Sequence, residues 1–336
     1  MPAEWERHEA TWLAWPYNLE TWAGHLDGAE EAFAKIIEAL TPHEIVELLV
    51  PSAAIEKRAQ QKLTSRKIPE GKVHFHRIES GDVWIRDYGP IFIKRKAEIA
   101  YTKWIYNAYG NKYADLLPGN GVPNQMPLTR FRRFDTGIVL EGGSIDVNGS
   151  GTLLTTEACL LSPDRNPALR KTDIEQKLKD FLGVSNILWL GSGITGDDTT
   201  GHIDALARFV AKVTVVAVIE EDPRDDNYKP LQENVKRLRR MKVEDGTPLT
   251  VIELPMPRVS VLEGRRMAAT YANFYIGNGV VLVPIYGQPS DAIALAKLQS
   301  CFPDRKVLGI DSRELVWGYG SIHCATQQQP APETTH

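Results

Sequence analysis

The chain has 336 residues, 43% hydrophobic and 24% charged, which is enough to bury a large core. Its net charge of -4 and pI of about 6.1 argue against nucleic acid as a partner, because phosphate binding requires a basic surface. No apolar run approaches the roughly 20 residues of a membrane helix, and the polar N-terminus does not resemble a signal peptide. The three cysteines are odd in number and lack CxxC spacing, so the sequence predicts reduced thiols in a cytoplasmic protein.

Amphipathic helices followed by short apolar strands recur along the chain. Asp27 is the predicted N-cap of the first helix. Hairpin-like strand pairs lie between several helix–strand units, for example 273–276 with 280–284. The sequence predicts five units, helix first in each: 27–40 and 45–50, 52–63 and 73–78, 173–182 and 187–190, 231–241 and 249–254, 291–301 and 307–310.

This alternation favours one fold class. A doubly wound parallel sheet would consist mainly of βαβ crossovers, without so many hairpins. We therefore predict an α/β protein in which small mixed sheets repeat around an axis. No linker divides the chain, so we expect one domain over 1–330, followed by a disordered tail at 331–336. Polar motifs recur after the strands, and such an axis would bring them together at one end: 84–87, 201–204, 273–275 and 323–324.

Cys324 stands in a glycine-rich, polar segment, Gly-Tyr-Gly-Ser-Ile-His-Cys-Ala-Thr-Gln-Gln-Gln-Pro at 318–330. Structural cysteines usually have apolar neighbours, so this context favours a reactive thiol, with a merely buried thiol as the alternative. A nucleophilic thiol requires a base. On an extended strand His323 would point to the opposite face, so we predict that the base is His202.

His202 and Asp204 lie in Gly-His-Ile-Asp at 201–204. On a strand the two side chains would share one face, where they could form an acid/base pair, two metal ligands or a structural hydrogen bond. The metal interpretation lacks a third ligand at metal-binding spacing, so we predict no metal.

Acidic residues cluster in two further segments. Asp82, Arg86 and Asp87 lie between 79 and 90, and Glu141 lies in a Glu-Gly-Gly-Ser turn. Buried carboxylates need a cationic partner, which is either Arg86 or a bound cationic substrate. Glu141 could instead be an exposed residue of a solvated hairpin, with no part in substrate binding.

The combination of one thiol, one histidine and several carboxylates restricts the substrate. Carboxylates beside a thiol raise its pKa and hinder attack unless the substrate carries a positive charge. A guanidinium is planar, permanently cationic and able to bond bidentately to carboxylates. The sequence therefore predicts a small cationic guanidino substrate.

Several motifs resemble one family over residues 1–330: Trp-Ile-Arg-Asp-Tyr-Gly-Pro, Glu-Gly-Gly-Ser, Gly-His-Ile-Asp, Asn-Phe-Tyr-Ile-Gly-Asn-Gly and the segment around Cys324. They are similar to those of the bacterial agmatine deiminases and the porphyromonad-type peptidylarginine deiminases, members of the guanidino-group-modifying superfamily. The resemblance implies a five-bladed α/β propeller and a hydrolase without metal or organic cofactor.

The resemblance also implies roles for individual residues. Cys324 matches the nucleophile and His202 the general acid/base. Asp87 and Asp204 match the carboxylates that hold the guanidinium, and Glu141 matches a glutamate that supports the site near the histidine.

Three further residues are substrate-binding candidates. Trp84 is expected to line the alkyl stem of the substrate, and Asp198 to meet a distal amine. Asp82 matches the aspartate of an Asn-Asp pair that stands shortly before the tryptophan in the family. Gly81 replaces the asparagine of that pair, which leaves the substrate's distal end open.

The resemblance implies hydrolysis of agmatine to N-carbamoylputrescine and ammonia, a step toward putrescine. Deimination of peptidylarginine or free arginine, amidino transfer to an amine, and non-enzymatic binding of guanidino compounds or polyamines are the alternatives. A homo-oligomer is compatible with the sequence.

Overall fold

The structure is a computed structural model and describes residues 1–258, 261–262 and 264–332. Short 3₁₀ segments cover Ala114–Gly121, Gly142–Ser144, Ile203–Ala205 and Leu315–Gly318. The α-helices are α1 (Leu26–Leu40), α2 (Ala53–Thr64), α3 (Ile85–Tyr88), α4 (Ala108–Asn111), α5 (Val122–Gln125), α6 (Glu157–Leu160), α7 (Lys171–Leu182), α8 (Tyr228–Leu238) and α9 (Pro289–Cys301).

The strands are short, and most have five to eight residues. In chain order they are β1 (His8–Ala14), β2 (Ile45–Val50), β3 (Val73–Arg77), β4 (Ile91–Arg95), β5 (Glu98–Ile105), β6 (Arg132–Val139), β7 (Asp146–Val147), β8 (Thr152–Thr156), β9 (Asn186–Leu190), β10 (Ala207–Ala211), β11 (Thr214–Ile219), β12 (Thr250–Pro255), β13 (Val261–Leu262), β14 (Arg265–Arg266), β15 (Tyr275–Ile276), β16 (Val280–Ile285), β17 (Lys306–Asp311) and β18 (Gln327–Pro330).

Among the described residues, five mixed sheets share one strand pattern. The strand orders are β18-β1-β2-β3, β4-β5-β6, β7-β8-β9, β10-β11-β12 and β15-β16-β17. In each sheet the first two strands pair antiparallel and the next pairs parallel. A parallel pair requires a crossover, and α1, α2, α7, α8 and α9 lie in crossovers. The expected α/β class with small mixed sheets is confirmed.

The predicted helices and strands are present, but they are distributed over the sheets differently than expected. The first two helix–strand units share one sheet, because β2 and β3 are neighbours. The sheet β4-β5-β6 was missed. Its crossover between β5 and β6 contains only α4, α5 and a 3₁₀ segment, so it shows no long amphipathic helix in the sequence.

The predicted N-cap of α1 is wrong. The helix begins at Leu26 with His25 at the N-cap position, so Asp27 lies in the first turn. The Asp27 carboxylate instead accepts a hydrogen bond from Lys62 Nζ at 2.6 Å, and an acid in the first turn still favours the helix dipole.

The two ends of the described chain meet in the first sheet. β18 pairs antiparallel with β1, and Trp12 Nε1 donates to Gln329 Oε1 at 2.9 Å. The polar run after Cys324 is therefore a buried strand. The pairing continues to Ala331, whose N–H donates to Arg7 O at 2.8 Å. Residues 333–336 of the predicted tail lie outside the described residues.

Within the described ranges the buried apolar side chains form three clusters packed between helices and sheets. None of the described helices combines the length and apolar character needed to cross a membrane.

Candidate active site

The site is assembled from the segments that lead into the first strand of each sheet. Asp87 precedes β4, Gly143 precedes β7, His202 precedes β10, Asn273 precedes β15 and Cys324 precedes β18. The predicted convergence of polar motifs is thus seen in the structure. A site made from five separate segments explains why its residues are far apart in the sequence.

Cys324 lies in a turn, with its side chain 7% exposed at the floor of a cavity. Its Sγ accepts a hydrogen bond from Asn273 Nδ2 at 3.1 Å and lies 3.5 Å from Asp204 Oδ2. Burial and the charges of Asp204 and Asp87 raise the pKa of the Cys324 thiol well above its usual value. The resting thiol is therefore protonated, and a cation bound beside it would favour the thiolate.

His323 does not serve Cys324. Its Nδ1 lies 2.8 Å from Asp204 Oδ2, and its Nε2 lies 2.9 Å from Glu4 Oε2. Our assumption of an extended strand at this point is wrong, because residues 322–325 form a turn. His323 is turned away from the sulfur because two buried carboxylates hold its ring.

His202 is buried, and among the described residues neither ring nitrogen has a hydrogen-bond partner. Its Nδ1 lies 3.7 Å from Asp87 Oδ1. Burial opposes the charged form, but the charge of Asp87 and contact with Cys159 hold the pKa of His202 well above its usual value. The expected strand is wrong here too, because His202 directly precedes the 3₁₀ turn Ile203–Ala205, which also carries Asp204.

Asp87 and Asp204 are both buried but differ in their partners. Asp87 Oδ2 accepts from Tyr109 Oη at 2.8 Å, and its Oδ1 accepts from the N–H of Gly143 at 2.9 Å. Burial raises the pKa of Asp87 to about 6 despite the charge of His202. The pKa of Asp204 is lowered, because the hydrogen bond and charge of His323 outweigh burial. Both carboxylates are thus ionised near neutral pH.

Gly143 leaves the space into which these side chains point. A Cβ at this position would lie 2.7 Å from His202 Nδ1, 2.8 Å from Asp87 Oδ1 and 2.9 Å from Asp204 Oδ2. Such distances are shorter than van der Waals contact, so no residue with a side chain fits here without displacing the site.

Glu141 lies in the adjacent buried layer. Its Oε1 accepts from Arg165 Nε at 2.9 Å, and both side chains are completely buried. Arg165 also donates to the carbonyl oxygen of Thr199 at 2.8 Å, which fixes the loop before His202. Glu141 Oε2 has no partner among the described residues.

A cavity of about 350 Å³ leads to Cys324. Trp84, Asp87, Tyr109 and Asp198 line it, so the predicted residues Trp84 and Asp198 border the same space as the thiol. Ligand pockets commonly begin at about 300 Å³, so a small linear molecule fits.

Asp82 lies outside the cavity lining. Its oxygens accept hydrogen bonds from Thr21 Oγ1 at 2.6 Å and Trp22 Nε1 at 3.0 Å. The expected substrate contact of Asp82 therefore stays a prediction, since Asp82 is not among the residues that line the cavity. Since Thr21 lines the cavity and the ring of Trp22 lies 5.9 Å from that of Trp84, Asp82 supports the cavity wall.

Sequence reasoning missed five residues that hold the site together: Glu4, Tyr109, Gly143, Arg165 and Asn273. The only local signals were the Glu-Gly-Gly-Ser turn for Gly143 and the Asn-Phe-Tyr motif for Asn273.

The free atoms of the site indicate its ligand. The charges of Asp87 and Asp204 act on the thiol, and the imidazole of His202 lies beside Asp87. Among residues 1–258, 261–262 and 264–332, Asp204 Oδ1 and both imidazole nitrogens have no hydrogen-bond partner. Buried polar atoms are normally bonded, so this set is arranged for a polar ligand that supplies several N–H donors and a positive charge.

Comparisons with known proteins agree with this reading. The model of the Porphyromonas-type peptidyl-arginine deiminase family matches residues 1–330. The agmatine deiminase of Pseudomonas aeruginosa (strain LESB58) is 36% identical over 357 aligned positions, covering 99% of this chain and 95% of that protein. A cysteine-to-serine variant of C. jejuni agmatine deiminase, solved with substrate bound, superposes with a TM-score of 0.89 at 33% identity and covers 99% of this chain and 96% of the other. Agmatine deiminase of Enterococcus faecalis superposes with a TM-score of 0.90 at 34% identity, covering 98% and 95%.

Proposed function

The chain belongs to the Porphyromonas-type peptidyl-arginine deiminase family, and we propose that it is an agmatine deiminase, a hydrolase that converts agmatine and water into N-carbamoylputrescine and ammonia. One observation carries the proposal: the thiol of Cys324 lies 3.5 Å from the buried carboxylate of Asp204 and lines a cavity with Asp87, and the two negative charges raise its pKa unless a cation binds there. A guanidinium supplies that charge and the N–H donors.

In the first half-reaction the guanidinium binds between Asp87 and Asp204. Its charge favours the thiolate of Cys324, and the thiol proton passes to solvent. The sulfur attacks the guanidinium carbon, and a C–S bond forms. His202, protonated at rest, gives its proton to the departing nitrogen, the C–N bond breaks and ammonia leaves. The product of this half is a covalent thiouronium on Cys324.

In the second half-reaction neutral His202 takes a proton from water. The hydroxide adds to the thiouronium carbon, the C–S bond breaks, and the remaining hydroxyl proton returns to the sulfur. The ureido product leaves, and His202 is again protonated. Glu141 stands behind His202 with one oxygen held by Arg165, and in the proposal it keeps the imidazole in place for both transfers.

The five sheets support a finer description of the fold. We infer a five-bladed α/β propeller in one catalytic domain over 1–330, with the site at its axis. The shared strand pattern and the convergence of five inter-sheet segments support this arrangement.

The distal end of the substrate distinguishes the two closest functions. Asp198, Asp115 and Glu20 line the cavity and suit the ammonium of agmatine. Lys112 lies 3.6 Å from Asp198 Oδ1, but Oδ2 has no hydrogen-bond partner among the described residues. Arg265 also lines this part and would suit the carboxylate of arginine or of a C-terminal arginine, which is the second candidate substrate class. Its guanidinium is already bound to Tyr319 Oη and to the carbonyl oxygen of Trp317, so agmatine is favoured.

Trp84 is proposed to cover the alkyl stem between the two ends, because it lines the cavity with Asp87 and Cys324. We place the reaction in the cytoplasm and in putrescine formation. The three free thiols support that location.

The test is release of ammonia by the purified protein from agmatine, arginine and a peptidylarginine, without added metal. We expect turnover of agmatine, none with Cys324→Ala, and no loss of activity with EDTA. Turnover of a peptidylarginine alone would overturn the substrate and keep the chemistry. If no guanidine reacts, the protein is not a deiminase.

A further inference from the structure

A third ligand-type side chain lies against the acid/base pair of the site. One ligand atom from each of Glu141, Cys159 and His202 lies within 4.8 Å of the other two, and all three residues are buried. The proposed reaction uses His202 and Glu141 but has no role for the Cys159 thiol. In the sequence no third metal ligand accompanied His202 and Asp204. The fold brings two further ligand-type side chains, Glu141 and Cys159, close to His202.

Hydrogen bonds bring the three side chains together: Arg165 links Glu141 to the loop before His202, and Thr156 links Cys159 to the same loop. Thr156 caps α6: its Oγ1 accepts from the N–H of Cys159 at 3.2 Å and donates to the carbonyl oxygen of Gly201 at 2.6 Å. This pair of bonds fixes the helix of Cys159 against the residue before His202. The cluster is therefore held by the backbone and is not a chance contact of flexible side chains.

The cluster also has free ligand atoms. Glu141 Oε2 and both ring nitrogens of His202 lack hydrogen-bond partners among the described residues, although both residues are at most 1% exposed. Arg165 occupies only Oε1 of Glu141 and so leaves Oε2 available. Buried polar atoms without partners are rare, which points to a ligand that completes them.

A sulfur, an imidazole nitrogen and a carboxylate oxygen form a ligand set that suits Zn²⁺. Asp87, whose Oδ1 lies 3.7 Å from His202 Nδ1, adds negative charge that offsets the nearby Arg165. Bond lengths of about 2.3 Å to sulfur and about 2.0 Å to nitrogen would draw the three side chains slightly inward.

We propose that Glu141, Cys159 and His202 bind a zinc ion that inhibits the enzyme. On binding, the Cys159 thiol and the protonated imidazole of His202 each release one proton to solvent, and a Zn–S and a Zn–N bond form with no change of oxidation state. The ion occupies the imidazole that the deiminase reaction needs, so metal and turnover exclude each other. The inhibition rests on the proposed function, whereas the binding does not.

The binding test leaves Cys159 unchanged. The chain has three cysteines, so the double variant Cys301→Ser/Cys324→Ser keeps Cys159 as its only thiol. Cobalt(II) is the probe, because a cobalt–thiolate bond gives a near-ultraviolet charge-transfer band. We expect this band in the double variant, its removal by Zn²⁺, and its loss when Cys159→Ser is added. A double variant without the band, or a triple variant that keeps it, overturns the proposal.

If the triple variant does not fold, the double variant decides alone. X-ray absorption of its zinc form should show one Zn–S bond at about 2.3 Å, and a shell of only nitrogen and oxygen ligands contradicts the site.

The inhibition test compares single variants, each normalised to its own activity without metal. Cys301→Ser, at the end of α9, should be inhibited by Zn²⁺ like the wild type. Cys159→Ser should need a Zn²⁺ concentration at least tenfold higher than the wild type for the same fractional inhibition. Equal inhibition of both variants would place the metal on Cys324 and overturn the proposal. If agmatine proves not to be a substrate, the cobalt experiment still reports on the site.

Discussion

The two sides of the site differ in how their polar atoms are satisfied. The Cys324 side comprises Glu4, Asn273, His323 and Cys324, and each of these side chains has a hydrogen-bond partner. The His202 side comprises Asp87, Glu141, Gly143 and His202, and there both imidazole nitrogens and one oxygen of Glu141 lack hydrogen-bond partners within the described part of the chain.

This difference separates two tasks. A network of paired buried charges fixes the turn that carries the nucleophile, because moving any member would leave a buried charge uncompensated. Unpartnered atoms on the His202 side lower the stability of the free protein, and a ligand that bonds to them restores the lost stability. Substitutions on the Cys324 side other than the nucleophile should therefore reduce stability, and substitutions on the His202 side should reduce activity.

The largest expected effect is the loss of activity in Cys324→Ser. This is the one substitution on the Cys324 side that should reduce activity and leave stability unchanged. Serine keeps the size but is a much weaker nucleophile, so kcat should fall by about 10⁴-fold or more. Ammonia release at saturating agmatine measures this, and Cys301→Ser serves as control. The midpoint of thermal unfolding should stay near that of the wild type; a variant that still turns over normally would remove Cys324 from the mechanism.

Glu4→Gln breaks the network of paired buried charges on the Cys324 side. Glu4 contacts Arg208 at 2.9 Å and Arg86 at 3.2 Å, so its loss leaves buried cations underneutralised. We expect the free energy of unfolding at pH 7 to fall by about 3 kcal/mol, measured by urea denaturation. Glu98→Gln, in the exposed pair with Arg95, should leave the unfolding midpoint unchanged.

Glu4→Gln should also change how the stability of the protein depends on pH. Burial opposes the charge on Glu4, but Arg208, His323 and Arg86 hold its pKa well below the usual 4.5. Its contribution to stability is therefore complete above pH 4.5 and is lost as the pH falls toward the lowered pKa. Wild-type stability should decline below pH 4.5, and Glu4→Gln should decline less steeply. Equal slopes would show that Glu4 is not the titrating group.

Gly143→Ala tests the His202 side. The added Cβ would displace His202, Asp87 or Asp204, and misplacement by about 1 Å lowers rates by about 10²-fold. Steady-state kcat/KM with agmatine measures the loss. Gly121→Ala is the matched control, because its Cβ would meet nothing nearer than Gln125 Nε2 at 3.9 Å. Similar kinetics for the two variants would contradict the assigned geometry.

Of these variants, Tyr109→Phe should have the smallest effect on catalysis. It removes the hydrogen bond of 2.8 Å to Asp87, which should lower kcat/KM about tenfold. With the pKa of Asp87 at about 6, wild-type kcat/KM should decline as the pH falls through 6, because the protonated acid cannot hold a cation. The variant stabilises the carboxylate less, so its decline should begin at higher pH. Tyr228→Phe, at the start of α8, should keep the wild-type profile.

The sequence by itself determined the local elements and the chemical groups. α2 with its Ser52 cap, the apolar face of α7 and the crossover strands follow from the residues of each segment, because helix and strand periodicity is written over a few consecutive positions. The combination of one thiol, one histidine and several carboxylates indicated a cationic substrate, because charge and reactivity belong to residue types.

Only the tertiary structure decided which segments share a sheet and which side chains face one another. It joined β18 to β1, which brings Glu4 next to His323, 319 positions away in the chain. It also built β4-β5-β6 without a long crossover helix, and it placed His202 beside Asp87, with Cys159 and Glu141 close to the imidazole. Such contacts depend on strand pairing and burial across the whole chain, so no local pattern of residues encodes them.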